Sequence, residues 1–274
     1  MKWPQEACET KAVERAVSRS VVAVFLAAAA GSAAAFHPLI TDDTGTQGKG
    51  GNQLEGGYAR TTDELAGAKD VSRGTPLVYT RGVADELDLY AGFTHLRHAP
   101  VGAARERGWS NPALGAKWRF FEDETSKLSF AVKPELQLPL SNGQEARGLG
   151  TARASYALGL LMTKETGFGA VHVNLAVNRV NYGDGALNDA ERRTQYRLSA
   201  APVWDVTEQW KLALDVGVMS NPDREMKSHM GYVELGTIYS HSKDLDFALG
   251  AIQGTSDGPV KSTQWTAGLT WRFQ

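Results

Sequence analysis

Cysteine is almost missing from this chain. One occurs in 274 residues, Cys8, and it lies near the start. A disulfide framework is therefore excluded, and stability must come from burial and closure of the backbone. Neither sign of charge is in excess: 29 Lys and Arg stand against 31 Asp and Glu, a net −2. A strongly basic surface is absent, so nucleic acid is not an expected partner. Beyond residue 35 no apolar run approaches the roughly 20 residues that a membrane helix needs. No ligand cluster with metal-site spacing is legible, and no cofactor is implied.

The one long apolar stretch is Val21–Ala35, VVAVFLAAAAGSAAA, preceded by Lys11, Arg15 and Arg19. A basic leader, a short apolar core and the small residues Ala33-Ala34-Ala35 predict a secretory signal cleaved before Phe36. The leader is long for its type, which places an alternative start near Val13 or Val17. Cleavage removes Lys2, Lys11, Arg15, Arg19, Glu6, Glu9 and Glu14, leaving 25 cations and 28 anions. It removes Cys8 too, which precedes the apolar core, so a lipoprotein is not expected.

What is abundant is alternation. In Leu128–Leu138, LSFAVKPELQL, the even positions are all apolar or proline, and the odd positions include Lys133, Glu135 and Gln137. Successive side chains of a strand point to opposite faces, so one face is apolar and the other charged. Ala152–Met162, Val171–Val177, Trp210–Val218 and Trp265–Phe273 repeat the pattern. Twelve strands are predicted: 52–60, 75–82, 87–97, 110–121, 127–139, 150–164, 168–179, 191–204, 210–219, 230–240, 245–253 and 263–273.

The connections alternate as well. Short turns at Val83–Glu86, Glu122–Ser126, Glu165–Gly167, Asp205–Gln209 and His241–Asp244 interleave with long polar loops at 61–74, 98–109, 140–149, 180–190, 220–229 and 254–262. An even strand number with short turns on one rim and long loops on the other predicts an antiparallel transmembrane β-barrel, with periplasmic turns and extracellular loops. Aromatics cluster accordingly: Trp204 and Trp210 flank one short turn, and Trp118, Phe120, Phe121, Trp271 and Phe273 end strands on the same rim. Pro76, Pro134 and Pro202 cannot donate to a ladder, so each predicts a bulge or a missing bond.

If the apolar faces meet lipid, the polar faces line the lumen. The candidates are Lys117, Arg119, Lys133, Glu135, Arg153, His172, Asn174, Arg193, Arg197, Lys211, Asp215, Glu234, Asp246 and Arg272. They fit a selective polar pathway, and equally a set of salt bridges filling a narrow barrel. The Gly-rich segment Phe36–Gly51 precedes the first strand, which divides the chain into 1–35, 36–51 and 52–274. Asp42, Asp43 and Lys49 are candidates for a plug pairing with lumen arginines. A periplasmic tail, or a metal site with His37, are the other readings. An enzyme reading rests on His95 and Ser110, both facing lipid by parity near the long-loop rim, as an activated nucleophile acting on lipid. His172 and Ser199 are a second pairing, inside the lumen.

Pro38-Leu39, Thr41-Asp42-Asp43, Gly48-Lys49-Gly50 and Gln53-Leu54-Glu55 resemble the N-terminal motif of the bacterial outer-membrane family labelled for the MetA pathway of phenol degradation. Asn111-Pro112 and Leu114-Gly115-Ala116-Lys117-Trp118-Arg119-Phe120 resemble its recurring strand. The resemblance runs from about residue 37 to the end and implies a Gram-negative outer-membrane transporter for aromatic or other hydrophobic compounds. The expected function is passive passage of small molecules, with a non-conducting structural barrel as the alternative and a lipid-acting enzyme as the third. Expected partners are outer-membrane lipid, lipopolysaccharide, a small solute and the barrel-assembly machinery. The final residue departs from the usual assembly signal, since Phe273 is penultimate and Gln274 is last.

Overall fold

The computed structural model describes residues 38–100, 102, 104–255 and 260–274. The signal segment, its cleavage site and His37 lie outside them. The strands are β1 (Asn52–Leu65), β2 (Ala68–Ala84), β3 (Leu87–Ala99), β4 (Glu106–Trp109), β5 (Ala113–Asp123), β6 (Leu128–Gln137), β7 (Ser155–Thr166), β8 (Gly169–Arg179), β9 (Thr194–Asp205), β10 (Trp210–Ser220), β11 (His229–Ser242), β12 (Leu245–Gly254) and β13 (Val260–Phe273). Each pairs antiparallel with its neighbour, and β1 pairs with β13 from Asn52–Phe273 to Leu65–Val260, which closes the barrel. In lipid only such closure satisfies every backbone amide.

Thirteen strands occupy twelve positions around the wall. β3 pairs with β5 along Leu87–Gly92 and with β4 along His95–His98. β4 and β5 are thus one stave, broken at Ser110–Pro112. All twelve expected strands are present, but the expected loop 61–74 is not a loop. β1 and β2 run through it to a two-residue turn, Ala66 (φ 51) and Gly67 (φ 86). Positive φ at both residues matches the twist of a hairpin. The extension escaped the apolar pattern because it projects past the lipid belt. There the outer face needs no hydrophobe, and Arg60, Thr62 and Glu64 alternate with buried Thr61, Asp63 and Leu65. The expected loops 140–149 and 180–190 carry short helices α1 (Asn142–Ala146) and α2 (Gly185–Ala190).

Each proline interrupts the ladder on one side without shifting the register. The β1–β2 pairing skips from Gly56–Leu77 to Ala59–Gly74 around Pro76. The β5–β6 pairing skips from Gly115–Glu135 to Trp118–Val132 around Pro134, and the β9–β10 pairing from Ala213–Val203 to Val216–Ala200 around Pro202. The bulges fall elsewhere. They lie at Val83, Phe120 and His241, beside short turns. There the twist must increase, and an extra residue supplies it.

The burial is inverted relative to a water-soluble domain. Leu235, Leu249, Leu212 and Leu198 are exposed on the outer face, whereas Glu55, Asp88, Asp215 and Glu234 are at most 2% exposed on the inner one. Among the described residues no helix is long and apolar enough to cross a membrane. The crossing elements are the strands.

Candidate functional site in the barrel lumen

The lumen is occupied by the chain's own segment 38–49. Its first described residue, Pro38, lies against Gly236 of β11, and the segment runs from there towards the short-turn rim, where β1 begins. Leu39, Thr41, Asp42 and Thr44 are buried. Leu39 packs against Ala201, Val203 and Ala213, small inward residues of β9 and β10 that leave room for it. Gly236 and Gly250 have the same purpose. A Cβ would stand 2.8 Å and 3.1 Å, respectively, from side-chain atoms of Pro38.

A segment without secondary structure must find partners for its amides elsewhere. Here the wall supplies them. The Ile40 N–H donates to Glu234 Oε2 at 3.2 Å and the Thr41 N–H to Asp215 Oδ2 at 2.6 Å. The Thr41 hydroxyl donates to Asp215 Oδ1 at 2.8 Å and lies at the same distance from the Ser199 hydroxyl, which can donate to it in turn. Asn174 closes a reciprocal pair with Asp42, accepting its N–H at 2.7 Å and donating to its carbonyl at 2.8 Å. Further down, Thr44 bonds Thr163 and Ser129, the Gln47 N–H donates to Asp88, and the Lys49 N–H to Asp85.

The electrostatics have a direction. Asp215 and Glu234 are cross-strand neighbours on β10 and β11, and both receive donors from the segment. Across the lumen, Lys117 of β5 and Lys133 of β6 donate to the Asp42 carboxylate at 3.0 and 2.7 Å, and Lys117 lies 3.6 Å from Asp43. An acidic wall takes the amides and a basic wall takes the carboxylate. Burial opposes the charge of Asp42, but the two ammonium groups outweigh it and hold its pKa below the ordinary carboxylate value. The expectation that arginines would meet these aspartates is corrected: lysines do.

Of the other lumen candidates, Glu135 accepts from the Tyr90 hydroxyl at 3.1 Å and from Gln137 at 3.2 Å. His172 meets Thr163 at 3.0 Å, and Arg197 is buried. Asp246 and Arg272 pair at 2.8 Å. Arg119 and Lys211 sit on the short-turn rim, paired with Glu122 at 3.3 Å and Asp205 at 2.6 Å. Arg193 precedes β9 and donates to Asn181 at 2.6 Å. Arg153 is a correction: it lies exposed in the connection before β7, because that strand begins at Ser155. Parity had missed Glu55, Asp88 and Tyr90, all buried and inward, whereas Ser199 is inward as expected. The alternation Gln53, Glu55 and Asp88, Tyr90 was the available signal.

The His95–Ser110 arrangement does not form. His95 faces outward against Trp109, with ring centroids 5.4 Å apart. Ser110 is buried and its N–H donates to the Thr94 carbonyl at 2.8 Å. The break between β4 and β5 turned it away from lipid. His172 and Ser199 are not register partners, and each is bonded to a threonine.

The long-loop mouth is tied down as well. Asn111 donates to the carbonyls of Leu138 and Thr151 and accepts the Thr151 N–H, all between 2.7 and 2.8 Å. Glu145 of α1 accepts the N–H groups of Ala152, Gly183 and Asp184, joining two loops. A cavity of about 30 Å³ lies beside Asp42, Lys133, Glu135 and Arg197. That is room for one or two waters.

Three solved structures share this architecture. The COG4313 outer membrane channel from Pseudomonas putida F1 superposes with a TM-score of 0.70 at 15% identity, covering 84% of this chain and 98% of that one. The NanC porin gives 0.56 at 11% identity, with 80% and 98% covered. The KdgM porin in complex with disordered oligogalacturonate gives 0.52 at 11% identity, with 80% and 99% covered. At these identities the likeness is one of fold, that of outer-membrane barrels. A comparison with curated protein sequences returns no match. The model of the family described as "Putative MetA-pathway of phenol degradation" matches residues 37–273, and the chain belongs to that family.

Proposed function

We propose that this protein is an outer-membrane channel of a Gram-negative bacterium that passes small molecules, and that its N-terminal segment is a plug. The observation that carries the plug is the seat of Asp42 between Lys117 and Lys133, with Asn174, Asp215 and Glu234 holding the neighbouring amides. Aromatic compounds as substrates follow from the family's description alone. The inner wall is largely polar, so a solute would exchange its hydration for hydroxyl, amide and charged groups one site at a time. No enzymatic role is assigned, since His95 and Ser110 are not brought together. Export through a cleaved signal, folding by the barrel-assembly machinery and contact with lipopolysaccharide belong to the same reading.

The deciding experiment is single-channel conductance and solute flux of the refolded mature protein against a variant lacking His37–Gly51. The expected result is low conductance with the segment and open-pore conductance without it. Equal conductance in both would remove the plug but keep the channel. Silence in both, with the barrel folded, would favour the second reading. That reading is a structural barrel, and the bonds by which the inner wall holds the segment support it.

A further inference from the structure

The outer face of the extended β1–β2–β3–β4 sheet carries an unusual row. Arg60 pairs with Arg73, Arg73 with Arg97, and Arg97 with Arg107, each directly across the ladder. All four side chains are exposed on the side away from the lumen. Residues directly opposite in an antiparallel pair have Cβ atoms about 5 Å apart, and like charges there repel. Among the described residues none of the four has a carboxylate partner. The nearby acids are engaged elsewhere: Glu64 with Lys69 at 3.5 Å and Glu106 with Arg147 at 3.5 Å. Arg105 adds a further cation to the same groove, which holds about 600 Å³ and is also lined by the ion-paired Lys69 and Glu106.

The row's height identifies what it faces. One residue pair below it stand Tyr58, His95 and Trp109, with Trp265 beside Arg60. Tyr58, Trp109 and Trp265 are 44–63% exposed. Aromatics at this depth mark the boundary between acyl chains and headgroups. Below them Leu77 and Phe93 open onto the lipid belt. An anion on the arginines is thus continuous with an apolar surface leading into the membrane. Guanidinium groups bind phosphate oxygens in bidentate fashion, and a doubly charged phosphate would relieve the repulsion along the row.

We propose that this row is a binding site for a phosphate-bearing glycolipid of the outer leaflet, of the lipid A class. Its phosphates bridge the arginines and its acyl chains descend over Trp109, Phe93 and Leu77. A free phosphate would use the same guanidinium chemistry but gain nothing from the aromatic and aliphatic surface below. The inference rests on the outer-membrane placement proposed above and not on conduction.

The test is native mass spectrometry of the mature barrel in detergent with bisphosphorylated lipid A, with dephosphorylated lipid A and with inorganic phosphate. Its arms include the wild type and the double variant R73Q/R97Q, with folding checked by heat-modifiable gel mobility. The expected result is retention of bisphosphorylated lipid A by the wild type. Occupancy should be at least tenfold lower in the variant, and lower by a similar factor for the dephosphorylated lipid. Undiminished lipid A binding by the folded variant, or equal binding of the dephosphorylated lipid, overturns the proposal. Displacement of lipid A by equimolar phosphate would overturn it in favour of a soluble anion. A second readout is the lipid-free melting temperature. It rises in R73Q/R97Q if the arginines repel one another, and an unchanged or lower value removes that argument. A barrel that never inserts into bilayers would defeat the membrane placement itself. One that inserts and binds lipid A equally well in both forms defeats only this inference.

Discussion

The two faces of β11 show how one strand answers to two solvents. Val233 and Leu235 point outward and are 38% and 65% exposed, while Glu234 between them is fully buried. In a water-soluble protein this would be inside out. Here lipid covers the leucine at no cost, and the carboxylate is held by its Ile40 donor beside Asp215. The outer face requires only apolarity, so any hydrophobe suffices. The inner face requires specific partners, so the identity of each residue matters. Mutations on the two faces should therefore fail differently.

The sharpest contrast is deletion of residues 38–49, which removes every bond to the inner wall and leaves the outer face untouched. Expected is a folded barrel with conductance raised at least tenfold, read in planar bilayers. Next is Asp42→Asn, which leaves two buried ammonium groups facing a neutral amide. Breaking a buried pair this way costs about 3–5 kcal/mol. The cost should fall on the seat rather than on the barrel. Frequent opening with unchanged barrel melting is the expected outcome, and the reverse would mean that Asp42 holds the wall together.

The outer face is broken by Leu235→Arg. A cation on the lipid side near the midplane costs roughly 2–4 kcal/mol. Equilibrium unfolding in urea with lipid vesicles should show that loss, with the segment still seated and conductance unchanged. The pH response is smaller and has a definite sign. Because the Asp42 pKa is lowered in the folded protein, its ion pairs contribute fully above the ordinary carboxylate value. They are lost only as pH falls through the lowered one. Conductance should stay flat from pH 7 to about 5 and rise only in stronger acid. Asp42→Asn should abolish that acid step. The mildest change is Gly236→Ala, whose added methyl meets Pro38 at 2.8 Å. A contact that close obliges the Pro38 ring to move, with Leu39 Cδ2 also only 3.3 Å from the new methyl, so a rise in open probability is expected.

Much of the wall was legible because the lipid imposes a rule that each strand must obey separately. Leu128–Leu138 shows it alone, and β6 follows it, with Ser129, Ala131, Lys133, Glu135 and Gln137 inward. The rule lapses where the membrane ends. The extension of β1 and β2 through 61–74 was unreadable for that reason, and so was the inward turn of Ser110 at the β4–β5 break. Parity could count Arg153 among lumen residues but could not see that its strand begins two residues later.

The amino-acid sequence by itself determined the barrel, its twelve positions, its two unlike rims and the polar character of its lumen, because period-two alternation and turn length are local properties. Only the tertiary structure decided that residues 38–49 lie inside, that Asp42 meets lysines 75 and 91 residues away, and that four arginines from four strands form one row. Those pairings depend on register and closure. No local pattern records which residue of a distant strand will stand opposite.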